Sequence, residues 1–229
     1  MKYTEEDNLD LFPEAKQLAK RQFEAAHYSF KIVQDESPEN PLAFQDVFNV
    51  ACWHQRYTLG HDDETLGRGP RETPADFFTR VAEEVEHGDQ LIDLPLYLFD
   101  HSGLSISTRL FSCSWDSAQV GHIYIKESEA KKVWPRGVRH QFNTETKSTE
   151  YRAFPESRTG YVERIKNLMR SDIETYNYYL TGQVYGFILL DENGDEVDSC
   201  YGFYGDDPRK NGISDHIPKH LEHLLPEHC

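Results

Sequence analysis

The chain of 229 residues contains no run approaching the ~18 consecutive apolar residues of a membrane-spanning helix. Its opening, Met-Lys-Tyr-Thr-Glu-Glu-Asp, is polar and acidic and lacks the apolar core of a secretory signal. Aliphatic residues are scarce: the hydrophobic fraction is 38% and the mean hydropathy is -0.72. Positive charge is also short, with 24 basic against 40 acidic residues and a net charge of -16. That balance argues against a general nucleic-acid binder, which needs a basic footprint. The four cysteines, Cys52, Cys113, Cys200 and Cys229, form no Cys-x-x-Cys pair and no zinc spacing. No phosphate loop, Gly-x-Gly-x-x-Gly or Gly-x-Ser-x-Gly occurs. The expectation is a protein of the host cytosol with reduced thiols and no membrane contact.

Aromatics fill the gap that aliphatics leave, at 13%, with 13 Tyr and 13 Phe. Buried tyrosines need partners for their hydroxyls, which favours β-sheet with polar rims over a plain helical bundle. Apolar spacing predicts an amphipathic helix over residues 9–26 and a short strand at 28–33. Residues 44–59 read as a helix giving way to a strand near Cys52, and 60–74 as a polar loop. Thr73 and Pro74 open a second helix that runs to about residue 86. Strands are expected at 95–99, 104–111 and 119–125, a short helix at most at 127–133, and a long loop at 134–157. Residues 159–180 carry the longest apolar stripe, with Val162, Ile165, Leu168, Met169, Ile173, Tyr176 and Leu180. Two alternating runs, 184–190 and 196–204, flank Asn193–Gly194 and predict a β-hairpin. A short helix is expected over 214–225. The fold class is α+β: a single domain with a mainly antiparallel sheet and several helices packed on it. Within it, residues 1–45 form a helical extension, 46–207 the core and 208–229 a short terminal helix.

Several runs carry a resemblance. They are Ala-Cys-Trp-His-Gln-Arg-Tyr-Thr-Leu-Gly at 51–60, Leu-Phe-Asp-His-Ser-Gly at 98–103 and Phe-Ser-Cys-Ser-Trp-Asp-Ser-Ala-Gln-Val-Gly at 111–121. Glu-Thr-Tyr-Asn-Tyr-Tyr-Leu-Thr-Gly-Gln-Val-Tyr-Gly-Phe at 174–187 and Asp-Ser-Cys-Tyr-Gly-Phe-Tyr-Gly at 198–205 complete them. In this order they resemble a family of uncharacterised proteins carried by bacteriophages, plasmids and other mobile elements, over roughly residues 46–207. The resemblance implies an accessory gene of such an element and supplies no activity, cofactor or catalytic residue.

Chemistry-bearing side chains concentrate between residues 100 and 122. A thiolate nucleophile needs a base beside it and an acid to orient that base. Cys113, His101 or His122, and Asp100 or Asp116 supply those types. Strand alternation places Phe111, Cys113 and Trp115 on one face, which makes Cys113 read as a core residue. For metal, His216, His220 and His223 stand at i, i+4 and i+7, so one helix face would carry all three toward zinc. His61-Asp-Asp-Glu64 is a second metal-tolerant cluster, and its bland reading is a solvated loop. The run 191–196 is too short for a calcium loop and reads as the hairpin turn. Arg136, Arg139, His140, Lys147 and Arg152 make a modest basic stretch in the long loop.

Three functions follow as expectations. The first is a non-enzymatic, acidic interaction protein of a phage or mobile element. It would dock on a basic, nucleic-acid-handling host protein such as a nuclease or defence component, binding no nucleic acid itself and needing no cofactor. The second is a small hydrolase or nuclease-like enzyme with its site near Asp100, His101, Cys113, Asp116 and His122. The third is a self-assembling structural or replication module that associates through the aromatic hairpin.

Overall fold

The computed structural model describes residues 28–229 apart from positions 46, 70, 86, 87, 102, 114, 144–146 and 218; for residues 139–143, 150 and 220 the backbone alone is described. The helix expected over 9–26 lies outside the described residues. The fold is α+β, with antiparallel sheets and helices packed on them. Contacts gather into two compact units. One is Asn40–Thr181; the other is Gly182–Cys229 with the described part of Met1–Glu39.

The strands, in chain order, are β1 (Ser29–Gln34), β2 (Asn49–Cys52), β3 (Leu91–Asp100), β4 (Leu104–Ser107), β5 (Ser117–Lys126), β6 (Val138–Asn143), β7 (Ser148–Ala153), β8 (Val184–Leu190) and β9 (Glu196–Tyr204). The helices are α1 (Asp63–Leu66), α2 (Pro74–Glu83), α3 (Glu127–Val133), α4 (Arg158–Leu180) and α5 (Ile213–His216).

In the Asn40–Thr181 unit, β2, β5, β3 and β4 lie in that order as an antiparallel sheet. Along β3 every second residue is buried: Ile92, Leu94, Leu96 and Leu98. With Val50, Ile106, Ile123 and Ile125 they meet one stripe of α4, namely Tyr161, Ile165, Met169, Ile173 and Tyr176. Ser157 caps α4 by accepting from Gly160 N, and the helix stops before Gly182, which sits at φ +71° where a side chain would be strained. The opposite sheet face carries a smaller cluster, in which Phe77 and Val81 of α2 meet Ala51 and Tyr124. Thr73 caps α2 and Pro74 takes its first position, as the sequence predicts. The sheet therefore has a helix on each face, one of 23 residues and one of 10.

A bulge interrupts the pairing of β3 and β5 between Leu96 and Tyr97, because Gly121 and Gln119 are their successive partners and Val120 is extra. β2 runs so close to this point that a Cβ on Gly121 would lie 2.0 Å from the Ala51 carbonyl oxygen. Only glycine fits there.

Residues 134–157, expected as a loop, contain the two-stranded sheet of β6 and β7. Residues 108–113, 115 and 116, expected partly as strand, are irregular, and β4 ends at Ser107. Trp115 is consequently 95% exposed instead of sharing a buried face with Phe111 and Cys113.

In the second unit β1, β8 and β9 form an antiparallel sheet. Its core joins Phe187, Leu189 and Phe203 to Ile213, Ile217, Leu221 and Leu225. The β8–β9 turn is as predicted: Gly194 takes φ +84°, and the Asp191 carboxylate accepts from the Asn193 and Asp195 amides at 2.8 and 2.9 Å. The single helix expected over 214–225 is instead α5 followed by a 3-10 turn, Lys219–Leu224. Ile217 between them is extended, at ψ 136°, as the residue before a proline prefers.

Candidate binding cleft

The five residues 100, 101, 113, 116 and 122 divide between two places. Asp100, His101, Cys113 and Asp116 meet where β3, β4 and β5 end. His101 Nδ1 stands 3.5 Å from Asp116 Oδ2, and the Cys113 thiol donates to the same oxygen at 3.6 Å. The carboxylate thus lies between thiol and imidazole. A nucleophilic pair needs the imidazole on the thiol itself, and that contact is not the one made. Asp100 forms an ion pair with Arg56 and accepts from the Tyr57 hydroxyl at 3.4 Å. Its carboxylate is engaged in joining the strand end to the chain that follows β2.

His122 sits elsewhere, on the sheet face under α2. Its Nδ1 is 2.9 Å from Asp93 Oδ2 and its Nε2 is 2.9 Å from the Gln119 amide nitrogen. Nδ1 faces the Asp93 carboxylate as a donor, and Nε2 faces the Gln119 side-chain amide. The bulge makes this possible. In a regular strand residues three apart face opposite sides, but the extra residue at Val120 turns Gln119 and His122 to one side. Hydrogen bonding from His122 holds the Asp93 carboxyl below the usual carboxylate range.

Two clefts open beside this group. The larger, of about 850 Å³, lies between β2, α1 and the segments joining them. Trp53 and Tyr57 supply its aromatic walls, and Asp62, Asp63 and Glu64 its carboxylates. The second, of about 700 Å³, lies between α2 and the sheet, with Phe78, Ala75 and Ala82 on the helix side and Asp93, Gln119 and His122 on the sheet side. Trp53 and Pro74 line both.

Trp53 is placed by rings: Phe77 at 5.6 Å and Phe78 at 5.5 Å, both edge-on. Phe78 in turn lies 4.4 Å from the His122 ring. The Trp53 indole N–H is buried without a hydrogen-bond partner. Such a group costs about 1–3 kcal/mol, which the packing of the indole against Phe77 and Phe78 offsets. On the first cleft's side the Arg68 guanidinium lies 5.6 Å from the Trp53 ring centre. It also grips Asp63 with two parallel bonds of 2.7 and 2.8 Å.

Neighbouring groups are occupied structurally. His61 accepts from Val50 N at 3.0 Å through Nδ1 and reaches the Leu42 carbonyl at 3.3 Å through Nε2. Both ring nitrogens are therefore spent on backbone, and burial lowers its pKa. The metal-tolerant reading of residues 61–64 loses its imidazole. Asp62 caps α1 by accepting from Thr65 N at 2.7 Å, which lowers its pKa. Burial pushes the Cys52 thiol up to about 12.

Of the three terminal histidines, His216 ends α5 and packs edge-on against Phe203 at 5.3 Å, while His223 lies in the following 3-10 turn. They do not share one continuous helix face, and the His220 side chain is outside the described set. Among the described residues no three His, Cys, Asp or Glu side chains group as a metal site requires. Among them, too, no helix is long and apolar enough to cross a membrane.

The Trp53 wall was missed in the sequence reading. The signal available was the pair of aromatics at Phe77 and Phe78 opposite a lone Trp beside a charged loop. No family model, curated protein or solved structure matches the chain.

Proposed function

We propose that the protein is a non-enzymatic interaction protein that takes a basic side chain of a partner protein into the cleft beside Trp53. The observation that carries this reading is Arg68. The chain's own guanidinium is held in that cleft by an aromatic face and a forked carboxylate, the two interactions that recognise arginine, and a partner's guanidinium would displace Arg68 and take its place. Tyr57 offers a second ring, already met by Arg56 at 5.4 Å. Asp62 and Glu64 are exposed alongside. A net charge of -16 steers a basic partner toward the molecule. The mobile-element resemblance makes a nucleic-acid-handling host protein the first partner class to try.

The test is calorimetric titration with a tri-arginine peptide at low and at high salt. Binding that weakens with salt and is lost in Trp53→Leu and weakened in Asp63→Asn is expected. Unchanged binding in both variants would assign it to diffuse surface charge, and absence of binding would remove the reading.

A further inference from the structure

Charge is spread unevenly along this acidic chain. Between residues 131 and 152 six lysines and arginines stand against two glutamates, while the rest of the chain holds 18 against 38. That stretch contains the ribbon of β6 and β7. The two strands pair with each other, and among the described residues neither packs substantially on another element. A lone two-stranded ribbon is marginal in water, so this one is held at its root. The Glu156 side chain, 5% exposed, accepts from Gly137 N at 2.8 Å and from Arg164 of α4 at 2.8 and 3.0 Å. Phe154 N donates to the Gly137 carbonyl at 2.8 Å. Beyond that root β7 lies open: Ser148, Thr149, Tyr151 and Arg152 are exposed, Tyr151 by 70%.

We infer that the β6–β7 ribbon is a contact for single-stranded nucleic acid. By register Tyr151 stands opposite position 140 and Thr149 opposite position 142, so these four share one face of the ribbon. Three of the four are His140, Phe142 and Tyr151. Rings on an open face are what unpaired bases stack on, whatever their sequence. The other face has Arg139 and Arg152 at directly opposed positions. Like charges so placed cost a sheet stability, and a phosphate near both removes that cost. Arg136 at the root and Lys147 at the far end are exposed cations, and Ser148 and Thr149 add hydroxyls, the groups that meet a sugar-phosphate backbone.

The combination selects the partner. An acidic protein surface would engage the cations and leave the rings without a role. A duplex keeps its bases stacked on one another and offers the rings no base face. The net charge of -16 excludes a general binder but not a local one. Six residues per strand make the ribbon about 20 Å long, more than two Debye lengths at physiological salt, so acids farther away than that are screened from a strand lying on it.

The test is fluorescence anisotropy of a labelled oligo(dT) strand of about 12 nucleotides with the full chain. Binding is expected, with log affinity falling against log salt at a slope of about -3 for four cations. Tyr151→Val keeps a strand-forming residue and should weaken binding about tenfold, the loss of one stacked base, whereas Tyr151→Phe should keep it. Arg152→Gln should flatten the salt slope by about 0.7. Circular dichroism of each variant checks that the fold is retained. Trp53→Leu, which disables the cleft proposed above, should leave oligo(dT) binding unchanged, so either reading can fail alone. Three outcomes would overturn the inference: oligo(dT) that stays free at low salt, binding that Tyr151→Val leaves intact, or binding lost in Trp53→Leu. Capture of poly-glutamate in place of oligo(dT) would likewise overturn it and make the ribbon a protein contact.

Discussion

The two faces of the sheet formed by β2, β5, β3 and β4 are covered unequally. Toward α4 the β3 side chains Ile92, Leu94, Leu96 and Leu98 are all buried, and five residues of one helix stripe close over them. Toward α2 the intervening residues, Leu91, Asp93, Pro95, Tyr97 and Phe99, are only half-buried. A 10-residue helix cannot span a 10-residue strand: at 1.5 Å against about 3.3 Å per residue it covers less than half the length. The second cleft opens between this short helix and the sheet, at Leu91 and Asp93. One face thus supplies most of the stability, and the other has polar groups and empty volume that a ligand can use.

The sharpest way to break this comparison is to truncate leucines on either side. Leu96 is fully buried on the α4 face, and Leu96→Ala should cost about 3 kcal/mol. Leu91, half-buried beside the second cleft, should cost about 1 kcal/mol on the same change, because the site is already open and little new cavity forms. Urea unfolding of the two variants measures both. Equal costs would mean that the α2 face is as well packed as the other.

A smaller effect comes from α4 itself. Burial raises the Asp172 carboxyl to about 6 from 3.8. With a folded pKa above the unfolded one, the stability linked to this group is fully present below about pH 4 and lost as pH rises through 6. Asp172→Asn removes the penalty. It should stabilise the protein at pH 8 by about 1–2 kcal/mol, less than the full conversion because the side chain is partly hydrated, and have no effect near pH 3. Thermal melts of both proteins across that range give the difference directly, and a gain independent of pH would assign the effect to something other than charge.

What the sequence disclosed tracks the same inequality. The stripe of α4 and the alternation of β8 and β9 around Asn193–Gly194 were legible, since regular periods write themselves into the apolar pattern. The α2 face was not. His122 and Gln119 are three apart in a strand, and only the bulge at Val120 brings them together. A period-two reading puts them on opposite sides. The group at Asp100, His101, Cys113 and Asp116 was legible as a polar concentration, but its internal order, with the carboxylate between thiol and imidazole, depends on the irregular path of residues 108–113, 115 and 116. The same irregularity turned Trp115 outward. The β6–β7 hairpin was overlooked because its alternation is carried by charged and hydroxyl residues, which a hydrophobic pattern does not register.

The smallest energetic consequence is the most local probe of the boundary between the two faces. Cys52 ends β2, lines the first cleft and packs with the α4-side core, and a part of the residue remains exposed. Its thiol is nonetheless pushed from 9.0 to about 12, which leaves roughly a thousandfold less thiolate at any given pH near neutrality. Alkylation with iodoacetamide, resolved by mass spectrometry of peptides, should therefore modify Cys52 last of the four cysteines, at a rate set by opening of the structure. Leu96→Ala should accelerate that labelling, because it loosens the face the thiol is packed against. Leu91→Ala should leave it nearly unchanged. If both variants accelerate Cys52 alike, the two faces open as one cooperative unit, and the cleft side has no independent freedom to admit a partner.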